Sequence, residues 1–485
     1  MLQYQRGRGA APGSIPKRRS SNEENEDDFE DDHLLGPFTQ LSIDRPSTNF
    51  KGPGSSDNFL RSVRKLSGLY GDDGSLDLNP IFYDPDALPS RRESILGGIR
   101  LPPRDVARRL FAAHYTYIGT IFAFTNPDTF DEELTLAYQG PPDPADREAC
   151  LTYAKVLILL AFGQLYSVNQ WIDFKGPPGF DYFTSALRLL PDPHEEGSIL
   201  CVETLALTGY FMQNLNRRDA AFLYIGMALR MAISLGLHQE VNAFPANSTP
   251  FGVSPVLDDS VRERRRRVWW SIYSLDRIVS VKSGNPLTIQ DEDIGVALPS
   301  RLPDEDVHSQ AVVMRYYTEL SRILSEVTKA VYRKSSSAPK SGKRLMASVQ
   351  SILLSLSKWN RELPDELRFD PVKLSISRES VSTFAHYYQC INMVARPLLY
   401  HVVQKRLKEI RKDPEAKERN WEDGLSRTTV RVIEMCISAA QDTVNMFAVA
   451  SHRDLVGKFA VSSFFSFSLL LLLSSSFSSP FPSSS

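Results

Sequence analysis

The densest chemistry in this 485-residue sequence lies in "RERRRRVWWSIYSLDR", residues 262–277, where five arginines precede two tryptophans. A guanidinium recognises phosphate or carboxylate through paired N–H donors and stacks on aromatic faces. The stretch could therefore follow a phosphate backbone, or it could tie one end of a buried helix to its neighbours. The formal charge of the chain is −2, so there is no global attraction to a polyanion, and any such contact has to be local.

Helical geometry separates the two uses. Ser260-x-x-Glu263 has the form of a capping box and predicts a helix starting at Val261, and "SGNP", residues 283–286, supplies the glycine and proline that stop it. At 100° per residue Val268, Ile272, Leu275 and Val279 form a narrow core stripe. The arginines do not gather on one face. Arg262 and Arg266 lie opposite the stripe, Arg264 lies close to it, and Arg265 and Arg267 point to different flanks. Glu263 stands at i,i+4 from Arg267, and Asp276 shares a flank with Arg265 and Trp269. Trp269, Trp270 and Tyr273 point away from the stripe, so more than one side is expected to be buried. Arg266, Trp270, Tyr273 and Arg277 share a face on which guanidinium–aromatic stacking is expected. The predicted role is structural, not direct contact with DNA.

Other reactive residue types are dispersed. Cys150, Cys201, Cys390 and Cys436 form no C-x-x-C or Cys/His group, so neither a disulfide framework nor a zinc site can be read from them. There is no G-x-S-x-G, H-E-x-x-H, P-loop or Rossmann glycine pattern, and no enzyme is expected. His114, His238 and His386 sit beside apolar helical sequence as core or boundary residues. Met212, Met227 and Met231 with Phe211, Phe222 and Tyr224 admit two readings: plain core, or the lining of a small-molecule effector pocket.

Long apolar-periodic segments between Pro/Gly loops run from residue 101 to about 460, none with sustained alternation. They predict an all-α protein, a large irregular array of helices. Residues 199–215 and 220–235, joined by "NRRD", read as an αα-hairpin, Gly236 as a C-terminal helix stop, and Pro127, Pro141, Pro177 and Pro191 as punctuation between helices. Residues 1–100, rich in Gly, Pro, Ser and charge, are expected to be a disordered tail. "KRR", residues 17–19, fits an import signal or solvated charge; the acidic "NEENEDDFEDD" fits a site for a coactivator or basic partner, or a solubilising linker. "RKSSSAPKSGKR", residues 333–344, reads as a bipartite import signal or a solvated loop. The N-terminus has no apolar leader. Residues 459–485, almost wholly Phe, Ser, Leu and Pro, match translation through a polypyrimidine tract such as precedes an intron's 3′ end, and are expected to be a gene-model artefact. A tail anchor competes, but the apolar core falls short of the usual span of about 20 residues, and no membrane partner is expected.

Beyond single motifs, "ALRMAISLGLHQE" followed by residues 262–300 closely resembles the signature of the fungal-specific transcription factor domain, also called the middle homology or xylanolytic-activator-like regulatory domain. "KWNRELPDEL", "HYYQCINMVARPLLYH" and "CISAAQDTVNMF" extend the resemblance over roughly residues 101–450, and the regulatory domain is expected over residues 101–458. The matching positions are Arg267, Trp269, Trp270, Asp276 and Arg277 on the helix, then Gly284, Pro286, Asp291, Asp293, Ile294, Leu298 and Pro299 in the following turn, with Trp359, Pro364, Arg396 and Pro397 in the later stretches. The resemblance implies an all-helical regulatory domain of a nuclear transcription factor, with these residues as its framework and the acidic "DED" pairing near the arginine-rich end. It also implies coactivators or transcription machinery as partners, homo- or heterodimers, and in some relatives a metabolite effector. Most relatives begin with a six-cysteine zinc cluster that reads DNA. No cysteine precedes Cys150 here, so no cofactor is expected in this chain, and zinc and DNA contact belong to a module missing from it. Either the true start lies upstream, or the chain is a headless regulator that heterodimerises with a full-length factor.

Overall fold

The computed structural model describes residues 100–455, apart from 145, 168–175, 192–196, 241–257, 307–308, 334–341, 370–375, 414–419 and 454. The expected terminal tails and the "RKSSSAPKSGKR" loop fall outside the described residues or largely so. Among the described residues there are eleven α-helices and no strand. They are α1 (Arg104–His114), α2 (Pro127–Ala137), α3 (Arg147–Ser167), α4 (Phe180–Leu187), α5 (Ile199–Asn214), α6 (Arg218–Ser234), α7 (Asp259–Ser283), α8 (Gln310–Val327), α9 (Gly342–Glu362), α10 (Arg378–Lys412) and α11 (Arg427–His452). The fold is all-α.

Helix starts follow from side-chain capping. Asn126, Ser198, Ser377 and Ser426 each accept a hydrogen bond from a backbone N–H of the first turn they precede, which satisfies a donor the helix leaves orphaned. Pro127 lies inside α2 at its first position, not between helices as expected, because that position needs no N–H donor. Gly236 adopts a left-handed φ of 67° after α6, as a C-terminal stop requires.

The core is built by two helices buried on nearly every side, α3 and α5. Helix α5 packs on α6 in the expected hairpin, α3 touches α1, α4 and α5, and α6 hands on to α7, α7 to α8, α8 to α10 and α10 to α11. A side chain at Gly209 of α5 would meet Ile225 at 2.6 Å, so glycine there permits the close approach of α6. Helix α3 is long and apolar enough to cross a membrane, yet fourteen of its residues are buried in the fold, among them Lys155. Phe211 and Met212 are core residues, while Phe222, Tyr224, Met227 and Met231 are half-buried against it.

Two helices close with a widened turn. The Thr120 amide bonds back to Tyr115 after α1, and the Arg333 amide to Thr328 after α8, five residues in each case. The second of these turns places Tyr332 against α10.

Candidate functional site: helix α7 and the segment it holds

Helix α7 runs through the middle of the array and is buried on almost every side from Val268 to Val281. The expected second buried side is present: Trp269, Trp270 and Tyr273 are fully enclosed along with the core stripe. The capping box is not formed. The helix begins at Asp259 after Asp258 with no side-chain cap, because Glu263 is drawn to a stronger set of donors. Its carboxylate accepts from the Ser300 amide at 2.8 Å, the Ser300 hydroxyl at 2.9 Å and Arg267 Nε at 3.0 Å.

Every arginine of the run is engaged inside the protein. Arg262 pairs with Asp259 at 2.7 Å and Arg264 with Glu203 of α5 at 3.0 Å. Arg265 donates to the Leu235 carbonyl at the end of α6. Arg266 grips Glu240 through Nε and Nη2, and Glu240 also accepts from the Ala297 amide. Arg267 reaches both oxygens of Glu305, at 2.5 and 2.7 Å, and the Ser300 carbonyl. Burial pushes the Glu240 carboxyl up, but the Arg266 hydrogen bonds and charge, with the Ala297 amide, hold it below its ordinary range. The Arg266–Glu240 and Arg267–Glu305 contacts are fork-shaped, and the run as a whole leaves no shared face for phosphates.

The other end of α7 is tied down by Arg277, which is wholly enclosed. Its guanidinium donates to Asp276, Ser325 of α8, the Ile289 carbonyl and Asp291, at 3.0, 2.8, 2.6 and 3.1 Å, and lies 4.1 Å from the centre of the Tyr273 ring. The Tyr273 hydroxyl donates to the same Asp291 oxygen at 2.6 Å. Asp276 also accepts from Thr288 at 2.7 Å; burial dominates and leaves its carboxyl above the usual range despite Arg277. Gly284 ends the helix at φ 69°, a conformation that penalises any Cβ. Pro286 follows it, exposed.

The segment of residues 284–305 is thus strapped along α7. Trp270 Nε1 donates to the Ala297 carbonyl at 2.7 Å, with Arg322 of α8 over the indole at 4.7 Å; Ile294 and Leu298 are half-buried against the core and Pro299 is buried. The "DED" turn corrects the expectation that placed it with the arginine-rich end. Asp291 meets Arg277 and Lys329 near the opposite end of α7, and the exposed Asp293 contributes its carbonyl to Gln239. The carboxylates that answer the arginine run are Asp259, Glu203, Glu240, Glu263 and Glu305. Trp269 Nε1 is buried without a hydrogen-bond partner, its ring 5.7 Å from that of His238.

Trp359, Pro364, Arg396 and Pro397 lie outside α7 and the segment strapped to it, and Trp359 meets α8 directly. Trp359 Nε1 donates to the Tyr316 carbonyl at 3.0 Å and Tyr316 Oη to the Glu362 carbonyl at 2.9 Å. Pro364 precedes a short turn, Asp365–Leu367, that buries Leu367. Pro397 lies inside α10. A proline there cannot donate to the carbonyl four residues back, and that carbonyl, Met393, accepts from Tyr332 Oη at 2.8 Å. Arg396 is buried beside the same ring, 6.0 Å from its centre.

Sequence reasoning missed one centre. Lys155 of α3 and Glu203 of α5, both buried, meet at 3.0 Å, and Glu133 of α2 joins at 3.2 Å. Through Glu203 this centre connects to Arg264 of α7. The available signal was a lone lysine in "ACLTYAKVLILLAFG" and a lone glutamate in "ILCVETLALTGYF", because an unpaired buried charge is too costly to keep. Among the described residues no group of three or more His, Cys, Asp or Glu side chains is placed to hold a metal.

In this all-helical domain every arginine of the run but Arg262, which pairs with Asp259 on the same helix, ties α7 to another segment. Residues 128–361 match the family model of the fungal specific transcription factor domain, and this chain carries that domain. An uncharacterized transcriptional regulatory protein of Schizosaccharomyces pombe is 22% identical over 91% of this chain and 54% of its own length. The thiamine repressible genes regulatory protein thi1 of the same yeast is 26% identical over 84% and 50%. The activator of stress genes protein 1 of Candida albicans is 25% identical over 77% and 40%. The chain spans about half the length of the curated relatives it matches, or less. No solved structure matches it.

Proposed function

We propose that the chain is a nuclear regulator of DNA-templated transcription in which the helical array is the regulatory part. DNA is contacted through a zinc-cluster module outside these 485 residues, and the array communicates with coactivators or the transcription machinery. The observation that carries this reading is the inward engagement of residues 262–267 in a chain whose relatives bear the names of transcription regulators. A helix whose guanidinium groups are engaged by Asp259, Glu203, Glu240, Glu263, Glu305 and the Leu235 carbonyl fixes a conformation and gathers no single face for a phosphate backbone.

The test is tethering. The full chain fused to an unrelated DNA-binding domain is expected to change transcription of a cognate reporter several-fold, in either direction, and a fluorescent fusion is expected to accumulate in nuclei. A tethered chain that leaves the reporter unchanged refutes a regulatory output. High-affinity binding of a DNA duplex by the untethered chain refutes the assignment of DNA contact to another module.

A further inference from the structure

The last three turns of α10 carry a set of cations that the fold does not use. At 100° per residue Lys405, Lys408, Arg411 and Lys412 fall within an arc of about 120°, and all four are exposed. None has an ionic partner among the described residues. The one acid on these turns, Glu409, lies on the neighbouring flank and pairs with Arg406 at 3.4 Å. The other face, with Val402 buried and Val403, Leu407 and Ile410 half-buried, holds the helix to the body of the protein. Cations in a last turn complement the helix dipole, which accounts for Arg411 and Lys412 but not for Lys405 and Lys408 further back. Four like charges on one helical face repel each other. The contrast with α7 is direct: there each guanidinium has its carboxylate or carbonyl, here the cations face outward together.

We propose that this basic face of α10 is a docking surface for an acidic polypeptide, and that its occupant is the chain's own run at residues 23–32. That run holds eight carboxylates in ten residues: Glu23, Glu24, Glu26, Asp27, Asp28, Glu30, Asp31 and Asp32. Charge complementarity makes the match, and the tether makes it intramolecular, which raises the effective concentration above that of any partner in solution. Reach is not limiting. Sixty-seven residues separate Asp32 from Arg100, enough to extend to about 220 Å, against a length of about 50 Å for the whole of α10.

The experiment uses the full 485-residue chain, as an equal mixture of isotopically heavy and light copies. Carbodiimide, which joins carboxylates to amines in contact, is expected to link Lys405, Lys408 or Lys412 to residues 23–32 within single copies. The yield is expected to fall at least fivefold between 0.1 and 1 M salt, as the screening length drops from about 10 to 3 Å. In a full chain with the eight carboxylates replaced by amides (Glu→Gln, Asp→Asn), acetylation of the same three lysines is expected to quicken at least threefold. Absence of these links with unchanged lysine reactivity overturns the proposal, as does a heavy–light share of about one half of the links, the proportion that random pairing of separate copies gives. Protection of the lysines by an added DNA duplex, with no effect of the amide replacements, assigns the face to nucleic acid and overturns it as well. None of these readouts depends on transcriptional output.

Discussion

Lys155 Nζ lies 3.0 Å from Glu203 Oε2, and the two charges come from buried stretches of helices that are largely apolar. Burial pulls the lysine's pKa down, but the adjacent Glu203 and Glu133 carboxylates outweigh it and hold the ammonium above its ordinary range. The pair is also where α2, α3, α5 and α7 meet, since Glu203 spends its other oxygen on Arg264 at 3.0 Å.

Removing one partner leaves the other buried and uncompensated. Lys155→Met is expected to destabilise the protein by roughly 3–5 kcal/mol, whereas Lys155→Met with Glu203→Leu recovers most of that loss, since apolar replacements of buried pairs are often neutral. Urea unfolding of the two single variants and the double variant gives the coupling. A loss in the double variant equal to the sum of the two single losses would show that the charges do not depend on each other.

Arg277 makes four hydrogen-bonded contacts and one ring contact with a planar fork, and an ammonium cannot reproduce that geometry. Arg277→Lys is expected to cost about 2–3 kcal/mol through the buried acceptors it strands, and to expose residues 284–298 to proteolysis before the helices. The corresponding substitution at the half-exposed Arg264 is expected to change stability by less than about 1 kcal/mol. Cleavage sites that stay the same in Arg277→Lys would mean that the segment is held without this residue.

Acid should expose a different weakness. His114 is fully enclosed with no partner at either ring nitrogen, and burial, with the nearby Lys155 charge, pulls its pKa down to about 3. The sign follows: between the unfolded value of about 6.5 and the folded value of about 3, the unfolded chain takes up a proton that the folded one refuses, so stability falls as pH falls through that window. At pH 5 this amounts to about 2 kcal/mol relative to pH 8. His114→Phe, in a pocket already lined by Phe111 and Phe162, is expected to be near neutral at pH 8 and more stable than the wild type at pH 5 by about that amount. Parallel pH profiles for the two proteins would refute it.

Helix existence was legible because periodicity and capping are local, and the α5–α6 hairpin and the extra buried side of α7 could be read from residue spacing alone. The Arg277–Tyr273 stacking was legible for the same reason, both residues lying on one helix face. The partners of the arginine run were not. Glu203, Glu240 and Glu305 lie up to 61 residues in sequence from the arginine each meets, and nothing in periodicity says which of many carboxylates will arrive. The capping box failed for a related reason: Glu263 fits the local pattern, but Ser300, brought back by the chain reversal at Gly284, offers it two donors that an isolated helix lacks.

Tyr332 shows how a single oxygen can license an irregularity elsewhere. Pro397 removes an N–H from the interior of α10 and orphans the Met393 carbonyl, and the Tyr332 hydroxyl, delivered by the widened turn after α8, takes the place of the lost donor. Tyr332→Phe is therefore expected to cost about 1–2 kcal/mol in the natural chain, the penalty of a stranded buried acceptor. In a Pro397→Ala background the helix can supply its own N–H, and the same substitution is expected to cost less than half as much. A thermal or urea double-mutant cycle reads the coupling directly. Additive losses would mean that the hydroxyl and the proline act separately, and that the turn after α8 is shaped by its own packing and not by what α10 lacks.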